Sequence, residues 1–190
     1  MRFLVAAILL FSFSSCGVQY HFASTDKTKI DTSYIYTLPY PKGTSHFLIQ
    51  GYNSKFSHRG RLGLDFKMQK GSTVTAARNG IVMGLNESFT NGGWSKSYLR
   101  KGNYVIIRHN DGTQAYYGHL LHNGVLVDVG DTVQQGQIIA KSGTTGYSAT
   151  PHLHFIVWGP TPSGRKQLPT RFNTSKGVKY LKPGHWYKAV

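Results

Sequence analysis

Cysteine and acidic residues are scarce in this sequence of 190 residues. Cys16 is the only cysteine, so no disulfide can form within the chain. Seven acidic residues stand against 22 lysines and arginines, which gives a net charge of +15. A glycosidase needs two cooperating carboxylates. Asp111 belongs to a turn and Asp128 and Asp131 flank another at Gly130, so the acids offer no convincing pair.

The motifs of two common hydrolase classes are also missing. Glu87, the only glutamate, does not stand in a His-Glu-x-x-His helix, which excludes the commonest zinc-protease motif. The chain has no Gly-x-Ser-x-Gly nucleophile elbow either. Histidine, in contrast, is plentiful, with nine residues. Candidate chemistry therefore has to be sought among the histidines.

The first fifteen residues predict an export signal. Arg2 supplies the positive charge, and residues 3–11 form an apolar run that is too short to span a bilayer. Cys16 directly follows Phe-Ser-Ser, which resembles a lipobox, where the signal is cleaved before a cysteine that then receives lipid. An idle thiol in a signal cleaved further along is the alternative. We predict an exported periplasmic lipoprotein, anchored to the membrane through acylated Cys16.

Four segments follow from composition along the chain. Residues 1–15 are the signal peptide, 16–33 a tether, 34–160 the folded domain and 161–190 a basic C-terminal extension. Four prolines after Gly159 argue against a regular element in that extension. The positive charge favours a polyanionic neighbour, which behind an export signal is anionic lipid or cell-wall polymer, and no nucleic acid is expected. A basic surface that serves only solubility remains the alternative.

Short β-rich runs alternating with turn signals predict an all-β fold. The runs cover residues 46–50, 73–76, 80–85, 103–109, 113–119, 137–141 and 152–158. The fourth and fifth runs flank Asn-Asp-Gly, where the glycine tolerates the positive φ of a tight hairpin turn. Residues 87–102 are polar and predict a long loop, and loops of this length are usually functional or mobile.

Two histidines lie in the predicted strand 152–158. His152 and His154 are two residues apart, so both imidazoles project from one face of a strand. His119 closes a hairpin strand, and the segment from His58 to Asp65 offers a further histidine and a carboxylate. Catalytic zinc takes three protein ligands and keeps a fourth position for water. Two histidines and Asp65 satisfy that need and leave two histidines for proton transfer.

The order of these motifs resembles the lysostaphin-like, or LytM-type, zinc metallopeptidases, which are cell-wall endopeptidases. The resemblance rests on His58 and Asp65, then Tyr-Tyr-Gly-His-Leu at 116–120, then Pro-His-Leu-His-Phe at 151–155. Supporting stretches match at 71–77, 80–82, 102–105 and 125–146, so the resemblance covers residues 50–158. It implies a twisted antiparallel sheet of barrel-sandwich type, with long loops around a groove for peptidoglycan peptides.

The resemblance also implies roles for individual residues. His58, Asp65 and His154 are expected to bind Zn²⁺, and His119 and His152 to act on the attacking water and the intermediate. Asn103 is a candidate substrate contact, with a simple turn role as its alternative. The resemblance therefore implies a zinc-dependent endopeptidase that hydrolyses stem or cross-bridge peptides of peptidoglycan, and a non-catalytic wall-binding or regulatory relative is the alternative.

One departure from the family pattern concerns the first ligand. The usual motif places a histidine four residues before the aspartate, but Arg61 stands there and His58 lies seven residues before Asp65. An arginine is permanently protonated and cannot ligate a metal. We predict that the chain loops out between His58 and Asp65, with Gly60 and Gly63 providing the backbone freedom.

Overall fold

The computed structural model describes residues 34–190, and the predicted signal peptide, the tether and Cys16 lie outside the described residues. Fifteen strands and one 3-10 helix, Lys96–Tyr98, form the regular structure of this part of the chain. The strands are β1 (Ile35–Thr37), β2 (Ser45–Gln50), β3 (Leu64–Lys67), β4 (Thr73–Thr75), β5 (Gly80–Asn86), β6 (Tyr104–Arg108), β7 (Gln114–Gly118), β8 (Leu120–Val125), β9 (Thr132–Val133), β10 (Ile138–Ser142), β11 (His152–Thr161), β12 (Gly164–Leu168), β13 (Arg171–Thr174), β14 (Gly177–Lys179) and β15 (Trp186–Lys188).

Nine strands form the main sheet. Its order is β15-β2-β3-β11-β7-β6-β5-β9, and β12 also pairs with β11. Two three-stranded sheets, β4-β10-β8 and β1-β13-β14, complete the fold. The pairings are antiparallel except for the parallel pair of β1 and β13. The predicted all-β, antiparallel fold is confirmed, and no helix within residues 34–190 is long and apolar enough to cross a membrane.

Alternation along β3 and β11 separates the core from the face that carries the polar residues. Leu64, Phe66, Leu153 and Phe155 are at most 1% exposed and pack in the core. Residues two apart on a strand share a face, so the intervening Asp65, His152 and His154 project to the opposite side. Burying each large apolar side chain contributes about 1.5–3 kcal/mol, which fixes the register of both strands.

The predicted hairpin joins β6 to β7. The backbone N–H of His109 donates to the carbonyl of Thr113 at 2.8 Å, and Gly112 adopts φ +80°. The buried Arg78 holds the turn, donating to the Asp111 carboxylate at 2.6 Å and to the Asn110 side chain at 2.8 Å. All seven predicted runs correspond to strands, with ends within one residue except that β11 continues to Thr161.

The expectation that prolines prevent regular structure after Gly159 is wrong. Strands β12 to β15 lie in this region, and β15 pairs with β2 in the main sheet. Pro169 falls between β12 and β13 and Pro183 before β15, where a missing N–H breaks no ladder bond. Phe172, Leu181 and Tyr187 from the same region belong to the hydrophobic core. The segment predicted as a basic extension therefore contributes to the core of the fold.

Candidate metal centre

Strands β3 and β11 bring the first two candidate ligands together. Asp65 and His154 are direct partners in this antiparallel pair. Their side chains consequently meet on one face, and His154 Nδ1 lies 2.6 Å from Asp65 Oδ1. The cross-strand register, rather than a helix or a short motif, sets this contact.

His58 reaches the same carboxylate from the loop between β2 and β3. Its Nε2 lies 3.2 Å from Asp65 Oδ2, and its ring is only 2% exposed. The N–H of His58 donates to the carbonyl of Ser54 at 3.2 Å, and that of Arg61 to the carbonyl of His58 at 2.9 Å. These bonds coil the chain so that His58 points inward, whereas Arg61 is exposed.

Gly60 and Gly63 have different structural roles in this loop. Gly60 has φ +66°, which supports the predicted need for backbone freedom. Gly63 is absent from the positive-φ residues of the described chain, so the same prediction for Gly63 is wrong. Instead, a Cβ atom added there would stand 3.0 Å from Cε1 of His58. Gly63 is needed because two imidazole rings close over it.

The three side chains fit a zinc ion by donor type and spacing. One ligand atom from each of His58, Asp65 and His154 lies within 4.8 Å of the other two. Two imidazole nitrogens and a carboxylate oxygen match the ligands that catalytic zinc uses. His58 Nδ1 also pairs with the Gly51 carbonyl at 3.2 Å, which aims Nε2 at the centre as outer hydrogen bonds of metal ligands commonly do.

Asp65 is held as an anion by its neighbours. Burial would raise the pKa of its carboxyl, but the imidazoles of His154 and His58 hold that pKa well below its ordinary value. Gln50, the partner of Asp65 on β2, donates its amide N–H to Asp65 Oδ2 at 2.8 Å. The amide oxygen of Gln50 also accepts the backbone N–H of Ser57 at 3.1 Å. Gln50 thus connects the carboxylate to the His58 loop, a role that the sequence analysis missed.

His119 and His152 stand beside the three candidate ligands, with ring centroids 4.7 Å apart. His119 Nδ1 pairs with the Thr145 carbonyl at 2.7 Å, and His152 Nδ1 with the Thr150 carbonyl at 2.8 Å. A carbonyl only accepts, so each Nδ1 carries the proton and each Nε2 keeps a lone pair. His152 Nε2 lies 3.8 Å from Asp65 Oδ1, which places this lone pair at the centre.

Burial keeps both of these imidazoles neutral. It lowers the pKa of His119 to about 3, with the nearby His152 and His154 acting in the same direction. Burial likewise lowers the pKa of His152 despite the neighbouring Asp65 charge. His119 also has φ +60° as the single residue between β7 and β8, a conformation that is uncommon outside glycine and concentrates at functional sites.

A cavity of about 270 Å³ opens next to His119. Its lining consists of Arg100, Gly102, Tyr104, Tyr116, His119 and Tyr147. The rings of Tyr104 and Tyr116 are stacked at 5.6 Å, and burial raises the pKa of Tyr116 to about 12, so its hydroxyl stays protonated. Tyr116 also borders the site, with its ring centroid 6.2 Å from that of His154.

Three loops meet through exposed aromatic side chains near the cavity. Phe56 from the His58 loop contacts Trp94 from the long loop at 5.2 Å between centroids. Trp94 in turn contacts Tyr147, from the loop before β11, at 6.0 Å. The predicted long loop over 87–102 is present between β5 and β6 and includes the 3-10 helix. This aromatic chain bounds the site on its loop side.

Asn103 lies beneath the site rather than on its surface. It is fully buried, and its amide group accepts from the Phe89 N–H at 3.0 Å and donates to the Phe89 carbonyl at 2.8 Å. Its backbone N–H donates to Thr145 Oγ1 at 2.9 Å. These bonds attach the long loop to the base of β6. The position favours a structural role over the predicted substrate contact.

The other histidines of the described chain do not join the centre. Each pairs one ring nitrogen with a backbone carbonyl. The residues concerned are His46, His109, His122 and His185.

Comparison with known proteins places the chain among peptidases. The profile described as Peptidase family M23 matches residues 59–167. The chain is 38% identical over 166 residues to the glycyl-glycine endopeptidase ALE-1 of Staphylococcus capitis, covering 80% of this chain and 40% of that protein. It is 34% identical over 141 residues to the peptidoglycan DD-endopeptidase ShyB of Vibrio cholerae, covering 70% of this chain and 30% of that protein.

A solved structure shares the fold. The catalytic domain of the prophage-encoded M23 protein EnpA from Enterococcus faecalis, solved as a point mutant, aligns with a TM-score of 0.51 and 24% identity. The alignment covers 68% of this chain and 92% of that domain. The chain spans less than half the length of the curated relatives that it matches. The family match begins at residue 59, so it does not include His58.

Proposed function

The chain belongs to peptidase family M23, and we propose that it is a zinc-dependent endopeptidase that hydrolyses stem or cross-bridge peptides of bacterial peptidoglycan. The observation that carries the proposal is the cluster of His58, Asp65 and His154 within 4.8 Å, flanked by two neutral histidines. Relatives named as a glycyl-glycine endopeptidase and a peptidoglycan DD-endopeptidase support this substrate class.

The residues of the site comprise candidate metal ligands, residues that position those ligands, and histidines that carry protons. His58, Asp65 and His154 would hold the metal, with Gln50 and Gly51 fixing the carboxylate and the His58 ring. When bound, zinc supplies a Lewis acid that polarises the scissile carbonyl and lowers the pKa of a coordinated water to about 7.

His119 and His152 are set up for proton transfer and oxyanion stabilisation. Each fixes Nδ1–H on a backbone carbonyl, so each Nε2 is free to take a proton from the attacking water. A protonated Nε2 then donates to the leaving amine or to the oxyanion. The Asp65 charge lies 3.8 Å from His152 Nε2 and would stabilise that imidazolium. The two histidines share these tasks.

Purified full-length protein incubated with insoluble peptidoglycan tests the proposal. We expect about one zinc per chain by elemental analysis and soluble fragments whose new peptide ends identify the cleaved bond. A chelator should abolish both the zinc and the release of fragments, and added zinc should restore them. A protein that binds peptidoglycan but retains no zinc and releases no fragment would instead be a wall-binding or regulatory relative.

The cell envelope is the proposed location. The export signal and Cys16 predict a periplasmic protein held by a lipid anchor, and one relative is named as an outer membrane antigenic lipoprotein. Peptidoglycan lies in that compartment, so an anchored enzyme there would meet its substrate directly. Acylation at Cys16 is therefore part of the proposal.

A further inference from the structure

A row of side chains crosses four strands of the main sheet and ends at His152. Trp186 on β15 pairs with Phe47 on β2, and Phe47 pairs with Lys67 on β3. Lys67 in turn pairs with His152 on β11. Directly opposed residues of antiparallel strands place their side chains on the same face. The whole row therefore lies on the sheet face that carries the candidate metal centre.

The far end of this row is an exposed aromatic pair. Trp186 is 65% exposed, and its ring lies 5.7 Å from the half-buried ring of Phe47 at an angle of 58°. Within residues 34–190, neither the Trp186 indole N–H nor the Lys67 ammonium has a hydrogen-bond or ion-pair partner. Leu48 and Tyr187, on the opposite face of the same strands, fill the core. The core therefore does not require the aromatic pair.

The separation between this pair and the centre matches a short peptide. Three strand spacings lie between Trp186 and His152, which amounts to about 14 Å. An extended peptide covers this distance with about four residues. On the other side of β11 lies the cavity lined by His119 and Tyr116. A substrate laid across the strands would thus contact the cavity, the metal centre and then the aromatic pair.

We propose that Trp186 and Phe47 form a subsite that stacks on a sugar ring of the glycan to which the cleaved peptide is attached. Aromatic faces pack against the C–H face of a pyranose, and the indole N–H and the Lys67 ammonium supply donors for its hydroxyl and acetamido oxygens. The inference rests on the proposed function. It assigns glycan recognition to Trp186 and Phe47, which lie outside the segment 59–167 matched by the family.

A membrane surface is the competing occupant, because tryptophan and lysine also populate membrane interfaces. The position of the aromatic pair on the same sheet face as His152 argues against a membrane as the occupant. A bilayer docked on Trp186 and Phe47 would lie over the same sheet face as His152 and would cover the groove. A glycan strand there leaves the groove in use, since the attached peptide continues along the row.

Binding of metal-free protein isolates this subsite from catalysis. The probes are glycan strands stripped of their peptides and vesicles containing phosphatidylglycerol. We expect Trp186→Ala to weaken binding to the glycan about 10-fold and Trp186→Phe to stay within about two-fold of wild type. Leu126→Ala removes a comparably exposed side chain, 56% against 65%, from the loop after β8 and should leave binding unchanged.

Glycan binding equal to that of wild type in Trp186→Ala overturns the proposal. So does a Trp186→Ala variant that loses affinity only for the vesicles, which would make the patch a membrane contact.

Hydrolysis of two substrates then separates the subsite from the proposed function. Trp186→Ala should lower kcat/KM about 10-fold on intact peptidoglycan and leave glycan-free cross-linked peptides unaffected. Equal losses on both substrates would assign Trp186 to peptide binding and overturn the glycan subsite. If wild type cleaves neither substrate, the proposed function fails, while the binding measurement still decides the subsite.

Discussion

Gly63 packs against the imidazole of His154 so closely that an added Cβ atom would lie 2.7 Å from Cε1 of the ring. The His58 ring borders the same space. The glycine therefore lets two rings from a loop and a strand approach one point. A backbone position that provides no side chain at all thus shapes the centre.

Gly63→Ala is expected to weaken zinc binding although every ligand is retained. The new methyl group would displace the His58 and His154 rings. Changes in the groups that orient metal ligands typically lower metal affinity about 10–100-fold. Competition titration with a zinc chelator gives the affinity. Gly84→Ala is the matched control, because a Cβ atom there meets nothing within 4 Å. Equal affinities in Gly63→Ala and wild type would contradict the steric role.

His58→Ala should reduce zinc retention as severely as Asp65→Ala does. Both side chains are buried at the centre, and either change leaves two protein ligands where zinc uses at least three. The double variant His58→Ala with Arg61→His should not recover the metal, because residue 61 is exposed. Elemental analysis gives the stoichiometry, with His122→Ala as control. If His58→Ala keeps its zinc and its activity, His58 is only a loop residue.

His119→Ala is expected to retain zinc and lose turnover. Its Nδ1 is bound to the Thr145 carbonyl, so the side chain offers one free nitrogen for proton transfer, which is worth about 10²–10⁴-fold in rate. Zinc content and fragment release are measured on the same preparation. Loss of the metal in His119→Ala, as complete as in Asp65→Ala, would show that the roles are wrongly divided.

Stability should fall at mildly acidic pH because of His109. This ring is 3% exposed, its Nδ1 pairs with the Asn79 carbonyl, and burial lowers its pKa from 6.5 to about 4. Between these values the unfolded chain takes up a proton that the folded chain excludes. The contribution of neutral His109 to the free energy of unfolding is therefore complete above pH 6.5. It is lost as the pH falls toward 4, by at most about 3 kcal/mol.

Urea unfolding of wild type and His109→Phe at several pH values isolates this effect. All other ionisable groups are common to the two proteins, so their contributions to the free energy of unfolding cancel in the difference. The free energy of unfolding of wild type should fall relative to that of His109→Phe as the pH falls from 6.5 to 4. A difference that is constant over this range would rule out a neutral, buried His109.

Cys16→Ala should release the protein from the membrane fraction and leave its peptidoglycan hydrolysis unchanged. The candidate metal centre lies within the described residues 34–190 and does not include Cys16, so the change is expected to remove only the proposed lipid anchor. Metabolic labelling with a fatty-acid analogue, followed by fractionation, reads this out. Wild type that stays unlabelled and soluble in the periplasm is the result that contradicts the lipoprotein assignment.

The strands that carry the centre could be predicted because their alternation is regular. In β11, His152 and His154 alternate with buried Leu153 and Phe155, and this pattern alone places both imidazoles on one face. The contact of His58 with Asp65 follows from no local pattern, since it depends on how an irregular loop coils. The resemblance supplied it as an expectation, and its role as a ligand stays a prediction.

The features that sequence reasoning missed depend on pairing between distant segments. Gln50 supports Asp65 because β2 pairs with β3, and Trp186 reaches the site face because β15 adds to β2. Neither residue carries a motif that signals such a partner. The C-terminal strands were missed because their prolines suggested irregular chain, whereas Pro169 and Pro183 stand between strands.

The residues just before β15 set the register of this end strand against β2 in the main sheet. Gly184, at φ +84°, donates to the Leu48 carbonyl at 2.9 Å, and Leu48 donates to the His185 carbonyl at 2.9 Å. These bonds decide which residue of β15 opposes Phe47. Because strand side chains alternate, inserting or deleting one residue between His185 and Trp186 would turn the side chain of Trp186 into the core and that of Tyr187 outward. The spacing between these hydrogen bonds and Trp186 therefore decides which aromatic residue faces the site.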